Sequence, residues 1–418
     1  MTDDRYNVLD LFSGAGGLTE GFCQTGQFDI ISHVEMNPSA AQTLETRMLY
    51  YSLKEHGLEE IYDGYMRNYS VKDARQTFIN KCSDAGIPET GVINKAIQDD
   101  TRVEIVHAIR SRAGKRKIDV IIGGPPCQAY STLGRWKLDR DPALTDPRLY
   151  LYRQYMHCLE KFKPRMFVFE NVPGLKSACE GRFIQNIEKS MNAAGYNVKI
   201  QTLDAADFGV IQHRKRIIII GWKKREKIDL PDFETREPAG TVHDLIMEDL
   251  PIIDAGFGPE VQEYRAPPNS YLKNYGIRDE SQDVLLHHVA RPHCERDLKI
   301  YSLAIQAMLE GRRIRYPDLP EELRTHRNVS SFVDRFRVVN EKGLSHTMVA
   351  HISKDGHYYI HPNPEHPRSL TVREAARVQS FPDNYIFEGS RGAKFTQIGN
   401  AVPPLMAKGI AEKLLECL

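Results

Sequence analysis

The chain has 418 residues, of which 41% are hydrophobic and 27% charged, enough to bury a sizeable core and too ordinary in composition for a disordered segment. Its 56 Lys+Arg balance its 56 Asp+Glu, so net charge does not announce a nucleic-acid partner and leaves a local basic cleft as the way to hold one. No apolar run reaches the ~20 residues of a membrane helix, the start is acidic rather than signal-like, and seven scattered cysteines without C-x-x-C spacing argue against disulfide or zinc frameworks, so a cytoplasmic protein is expected.

Residues 8–12 form a short apolar run that ends in a glycine loop, and residues 30–34 form a second. Between about 50 and 96 the pattern is polar and aromatic without clear β runs, which predicts an inserted helical segment. Further apolar runs follow at 118–122, 166–169 and within 216–222, with a helical stretch over 149–162. Continuous apolar strands bounded by Gly and Pro, alternating with helices, predict an α/β doubly wound, Rossmann-like parallel sheet buried on both faces. After Trp222 the alternation stops and Pro and charged residues become common, which places a boundary near Lys224 and a second, smaller domain beyond it. Thr371 and Glu374 have capping-box spacing and predict a helix through Gln379. Residues 404–418 predict a last amphipathic helix. The grouping His287, His288, His293 and Cys294 matches no common zinc spacing and is expected on a solvated surface, with no metal.

The chemistry-bearing residues fall at the ends of these strands. Gly14, Gly16 and Gly17 let the backbone turn and approach a ligand, and Glu35 closes the second strand where an acid reaches ribose hydroxyls in dinucleotide folds. The G-x-G-G spacing counts against NAD, and a ligand-free glycine turn is the competing reading. Asp100 precedes a helical stretch and could accept from an adenine amino group; Asp99 is an equal candidate on chemistry alone. Cys127 follows two prolines after the third run, where a thiol is placed for nucleophilic work, although a lone buried cysteine is more commonly structural. Glu170 ends the fourth run as a candidate acid/base partner, and Arg214 and Arg216 precede the fifth.

Taken together, these residues resemble the DNA (cytosine-5-)-methyltransferase family. The resemblance runs in order across nearly the whole chain. It covers the loop from Asp10 to Phe22, Glu35, Asp100, Pro125-Pro-Cys-Gln128, Glu170-Asn-Val172 and Gln212-x-Arg-x-Arg216. It continues through Arg368-x-Leu-Thr-x-Arg-Glu-Ala-Ala-Arg377, Gln379-x-Phe-Pro-Asp383 and Gln397-Ile-Gly-Asn-Ala-Val-Pro403.

The resemblance implies that S-adenosylmethionine donates a methyl group to C5 of a flipped-out cytosine in double-stranded DNA. It implies Cys127 as the nucleophile on C6, Glu170 as the acid at N3, and Arg214 and Arg216 as supports, Arg216 at the base O2. For the donor it implies Phe12, Ser13, Gly14, Gly16, Gly17, Leu18, Glu35, Met36, Asp100, Pro125, Leu151, Asn400 and Val402. Gln128 and Ser131 are implied as DNA contacts. The stretch from Glu35 to Asp100 is longer than is usual in the family.

The expected division is 1–223 for catalysis, 224–367 for target recognition, and 368–418 returning to the catalytic part. A monomer is expected, nucleoid-associated, acting in host protection beside a cognate restriction endonuclease. Residues 345–357 are expected as two strands around a Lys-Asp-Gly turn. Arg312, Arg313, Arg315, Arg324, Arg327, Arg335 and Arg337 enrich the same region in groups suited to DNA. The rival readings are a tRNA cytosine-5 methyltransferase of the same fold, a binding protein with a dead site, and an NAD oxidoreductase. The size of the segment between Trp222 and Arg368 argues for duplex DNA; the presence of Cys127 and Glu170 argues against a dead site. The Glu-Asn-Val and Ile-Gly-Asn-Ala-Val elements do not fit an NAD enzyme.

Overall fold

The computed structural model describes residues 5–126, 151–325 and 333–418. Its centre is a seven-stranded sheet in the order β3-β2-β1-β4-β5-β7-β6. The strands are β1 (Tyr6–Leu11), β2 (Phe28–Glu35), β3 (Val92–Asn94), β4 (Val120–Gly123), β5 (Met166–Asn171), β6 (Tyr196–Asp204) and β7 (Lys215–Lys223). Strands β1 to β5 pair in parallel, whereas β7 runs antiparallel to both β5 and β6. The five predicted runs are all strands, but the fifth is antiparallel, a departure from the expected all-parallel arrangement.

Alternation along the strands sends side chains to two buried faces. Leu9, Leu11, Ile121, Phe167, Phe169, Ile217 and Ile219 share one apolar cluster. Val8, Val120, Ile122, Met166, Val168, Ile218 and Ile220 share the other, with Met406, Ala407, Ile410 and Leu414 of the C-terminal helix Pro404–Leu415. That helix also packs on the first helix, Gly17–Cys23, at very short range.

Strands β3 and β6 were not expected, and they are the two edges of the sheet. β3 has three residues, and β6 alternates apolar and polar residues along a half-buried face, so neither reads as a continuous apolar run. The 50–96 segment is helical as expected: Pro38–His56 continues into it, followed by Glu59–Arg67 and Ala74–Asp84, with β3 at its end. These helices share a core with Val284, Leu286 and Ile386. Val284 and Leu286 belong to β9 (Val284–Leu286), which pairs with β8 (Val261–Glu263) in a separate two-stranded sheet.

Two local expectations fail. His287 and His288 are buried rather than solvated. His287 meets Glu260 through Nδ1 at 3.0 Å and accepts from the Phe387 amide at Nε2, while His288 bonds Thr371 Oγ1 and the Pro251 carbonyl. Residues 345–357 do not form a hairpin; Ala350–Ser353 is a 3-10 turn. Side chains take the backbone groups a ladder would use. The Met348 amide donates to Gln212, the Met348 carbonyl accepts from Arg214, and Tyr359 Oη spans the Val349 amide and the Thr347 carbonyl. The predicted capping box does open Val372–Val378, with Thr371 Oγ1 accepting from the Glu374 amide. No described helix is long and apolar enough to cross a membrane.

A Cβ on Gly21 would stand 2.4 Å from the Lys408 amide nitrogen and 2.5 Å from Ala407 Cβ. Gly21→Val should therefore push the first and last helices apart and cost about 1–3 kcal/mol, read as a lower urea midpoint. A midpoint equal to the parent's would show that this crossing is not a tight one.

Candidate active site

Strand register brings the site together. Val34, Leu11, Gly123 and Phe169 are consecutive partners across β2, β1, β4 and β5. One residue further along each strand stand Glu35, Phe12, Gly124 and Glu170, in one row at the carboxyl edge. Three inter-strand steps of about 4.8 Å put the row's ends about 14 Å apart. Because β7 is antiparallel, its start also reaches this edge, and Arg216 arrives beside Glu170.

Arg216 Nε donates to Glu170 Oε1 at 2.9 Å, with side chains only 10% and 14% exposed, so the pair is nearly buried yet keeps an opening. Burial pushes the Glu170 carboxyl up from its ordinary value; the Arg216 and Arg214 guanidinium groups and the Arg216 hydrogen bond oppose that rise. On its other side Glu170 meets the loop from β4. A Cβ on Gly124 would lie 2.5 Å from Glu170 Oε2, so a larger residue there would displace the acid. Asn171 Nδ2 then donates to the Pro125 carbonyl at 3.2 Å and staples the loop to β5. Cys127, Gln128 and Ser131 lie outside the described residues.

At the other end of the row, Glu35 Oε2 accepts from the Gly14 amide at 2.8 Å and Oε1 from the Asn37 amide at 2.7 Å. Burial raises its carboxyl and these backbone bonds oppose the rise. Each oxygen keeps acceptor capacity for a ligand hydroxyl. The space over Gly14 is open, since no atom lies within 4 Å of where its Cβ would be. Next to Glu35, Met36 is 63% exposed, an apolar side chain left uncovered beside a carboxylate. Ser13 closes the turn through its amide to the Val34 carbonyl and its hydroxyl to the Asp10 carbonyl. Phe12, with φ of 56°, packs partly buried against the core.

The remaining candidates divide. Gly16 turns at φ 77°, and Gly17 meets the C-terminal segment, where the Val402 carbonyl would be 2.1 Å from a Cβ. Leu18 is buried in the same cluster as Val402. Asp100 is exposed in the turn before Arg102–Ala113, whereas Asp99 accepts from Gln154 and Arg102. Leu151 caps Tyr152–Phe162 and is half-buried, and Asn400 is exposed at the end of Arg391–Asn400. Arg214 does not share the position of Arg216. Its guanidinium is fully buried on the carbonyls of Met348 and, at 2.9 Å, Gly399.

Sequence reasoning missed the structural part played by three arginines of the 368–377 motif. Arg368 pairs with Glu374 at 2.6 Å; Arg377 pairs with Asp249 and Asp383, each at 2.6 Å; Arg373 takes the carbonyls of Leu286, Pro382 and Tyr385. Of the arginines expected to favour DNA, Arg312, Arg313 and Arg315 face Glu310, Asp334 and Asp318. Arg324 holds the Leu319 carbonyl, Arg335 lies over Tyr316 and Arg337 reaches Tyr358. Arg327 lies outside the described residues.

The profile of the family described as C-5 cytosine-specific DNA methylase matches residues 6–74 and 54–416. The chain belongs to that family. It is 40% identical to the type II methyltransferase M.Bpa9945I of Bacillus paralicheniformis, over 98% of this chain and 99% of that protein. It is 32% identical to the type II methyltransferase M1.HphI of Haemophilus parahaemolyticus, over 98% and 86%. Among solved structures, a chain described as a prophage-encoded DNA modification methyltransferase from E. coli shares the fold, with TM-score 0.67, 24% identity and 99% of each chain covered. The protein is thus a DNA cytosine-5 methyltransferase on a Rossmann-like sheet.

Beneath the glycine loop of this methyltransferase, Thr19 Oγ1 donates to Asp10 Oδ2 at 2.7 Å and lies 2.9 Å from His33 Nε2. Burial pushes the Asp10 carboxyl up to about 7 from 3.8, against the hydrogen bonds of Thr19 and Ser13. Between those two values the unfolded chain has released the proton and the folded chain keeps it. The contribution to stability is therefore full below about pH 4 and is lost as pH rises through about 7. Between about pH 5 and 8 the parent should lose about 2 kcal/mol more than Asp10→Asn, measured by urea unfolding. Equal pH slopes in the two proteins would refute a buried, proton-holding Asp10.

Proposed function

We propose that this methyltransferase transfers a methyl group from S-adenosylmethionine to C5 of a flipped-out cytosine, at a specific sequence in double-stranded DNA. The observation that carries the reading is the Glu170 carboxyl, wedged between Arg216 and Gly124 of the loop that leads to Cys127. The row of residues at the carboxyl edge fits the donor. The Glu35 carboxylate offers acceptors for ribose hydroxyls, Met36 an apolar surface for a base, and Gly14 the open space between. When bound there, S-adenosylmethionine supplies an electrophilic methyl group.

The chain's own residues prepare the pyrimidine. The Cys127 thiolate adds to C6, forming an S–C6 bond, while Glu170 donates a proton or hydrogen bond to N3 so that the ring accepts the electron pair. Arg216 holds Glu170 in place and faces the base O2. C5 then carries enamine electron density and takes the methyl group. A base removes the C5 proton, elimination breaks the S–C6 bond and restores the thiolate, and the N3 proton returns to Glu170. Flipping the base costs about a few kcal/mol of stacking and pairing, which binding of the pyrimidine at the Glu170–Arg216 pair offsets.

On this reading residues 224–367 recognise the target, residues 1–223 and 368–418 form the catalytic part, and Gln128 and Ser131 contact the DNA. The enzyme acts as a monomer in host protection, beside an endonuclease of the same specificity.

Cys127→Ser should abolish methyl transfer with donor affinity nearly intact. Glu170→Gln should lower kcat by about 10²–10⁴-fold. Both are checked with a tritiated donor on DNA and on tRNA in parallel, and bisulfite sequencing of DNA from expressing cells identifies the site. Turnover by the serine variant near the parent's would overturn the nucleophile; label in tRNA alone would overturn the substrate.

A further inference from the structure

Two buried glutamines lie between the segment assigned to target recognition and the loop that meets the glycine turn. Gln212, just before β7, accepts the Met348 amide at Oε1 over 2.7 Å. Its Nε2 donates to Gln379 Oε1 at 2.8 Å and to the Val378 carbonyl at 3.0 Å. Gln379 Nε2 in turn donates to the Ile398 carbonyl at 2.6 Å and the Ala401 carbonyl at 3.3 Å. Beyond Ala401 stands Val402, whose carbonyl presses on Gly17 at the start of the first helix. Gln212, Gln379 and Met348 are all fully buried.

The path has a fixed polarity. A backbone amide can only donate, so Met348 forces the oxygen of Gln212 toward itself and the amino group toward Gln379. Gln379 must then present its oxygen to Gln212 and its amino group to Ile398 and Ala401. Arg214 reinforces both ends, since the same guanidinium takes the carbonyls of Met348 and Gly399. Any shift of Met348 would leave buried groups unpaired at Gln212 unless residues 398–402 moved with it.

We infer that Gln212 and Gln379 are positioning residues that couple DNA engagement to the grip of the glycine loop on the methyl donor. This rests on the proposed assignment of residues 224–367 to DNA and of the Gly14–Glu35 edge to the donor. A purely static brace would weaken donor binding equally with and without DNA. A coupling element changes the ratio of the two affinities, and linkage requires the effect to be reciprocal.

The test measures the Kd of S-adenosylhomocysteine by calorimetry, alone and with a duplex carrying the site that bisulfite sequencing identifies. It compares the parent, Gln212→Met, Gln379→Met and the double variant. The duplex should tighten binding to the parent by at least about fivefold. In each single variant that ratio should fall below about twofold, and the double variant should match the singles because both break one path.

A second measurement needs no variant. Duplex alone should slow amide hydrogen exchange of the parent at residues 398–402 and 14–18. An unchanged ratio in folded variants, a parent ratio of one, or no protection at those residues overturns the inference. A parent that binds no S-adenosylhomocysteine overturns instead the donor assignment on which it rests.

Discussion

Gly124 lies so close to the Glu170 carboxylate that a methyl group added there would have to push the acid aside. Most of the site follows from that contact. It makes the acid of β5 and the loop from β4 one unit, and Asn171 completes it by holding Pro125. The third side is closed by Arg216, which can be there only because β7 is antiparallel. A parallel strand in that position would begin at the opposite edge of the sheet. One reversed strand thus serves a chemical purpose, delivering a guanidinium from its own start to the place where its neighbours end.

The Gly14–Glu35 edge depends on the other end of the chain. Val402 sits against Gly17, and the helix Pro404–Leu415 covers the sheet face beneath it. Arg368 and Arg377 are buried and paired with carboxylates, Arg368 with Glu374 and Arg377 with Asp249 and Asp383. Such pairs contribute little net stability over apolar packing, but losing one partner is costly, so they hold the parts in one arrangement. The inserted helices, together with Pro38–His56, act on the 384–388 loop. Tyr62 donates to the Asn384 carbonyl, Tyr65 and Thr46 to Glu388, and Tyr69 to the Phe387 carbonyl. A segment that is polar and aromatic rather than aliphatic suits this task, because its hydroxyls satisfy backbone groups of a loop that forms no sheet.

That division explains what could be read from residues alone. Interior strands announced themselves because both faces are apolar, whereas β3 and β6 are edges and carry half a signal. The capping box of Thr371 and Glu374 is local and was legible. The 345–357 segment was not, because the groups that satisfy Met348 come from Gln212 and Arg214, more than a hundred residues away in the chain. Arg214 and Arg216 look equivalent by spacing. They separate only in space, one on backbone carbonyls 134 and 185 residues distant and the other on a carboxylate. His287 misled for the same reason: its partners Glu260 and Phe387 lie on either side of it in sequence but converge below the helices of the insertion.

The electrostatics of the edge give the two acids different work. Glu35 has both oxygens engaged by backbone amides that oppose its rise on burial, which suits a group that stays an acceptor. Among the described residues the counterweight at Glu170 is a guanidinium, and burial still prevails. An acid so placed holds its proton closer to neutrality than a solvated carboxylate does, while its side chain keeps partial exposure. On the proposed mechanism a base meeting that exposed part would displace the remaining water and strengthen the same preference. The protonated form is then most favoured when a pyrimidine is in place to receive the proton.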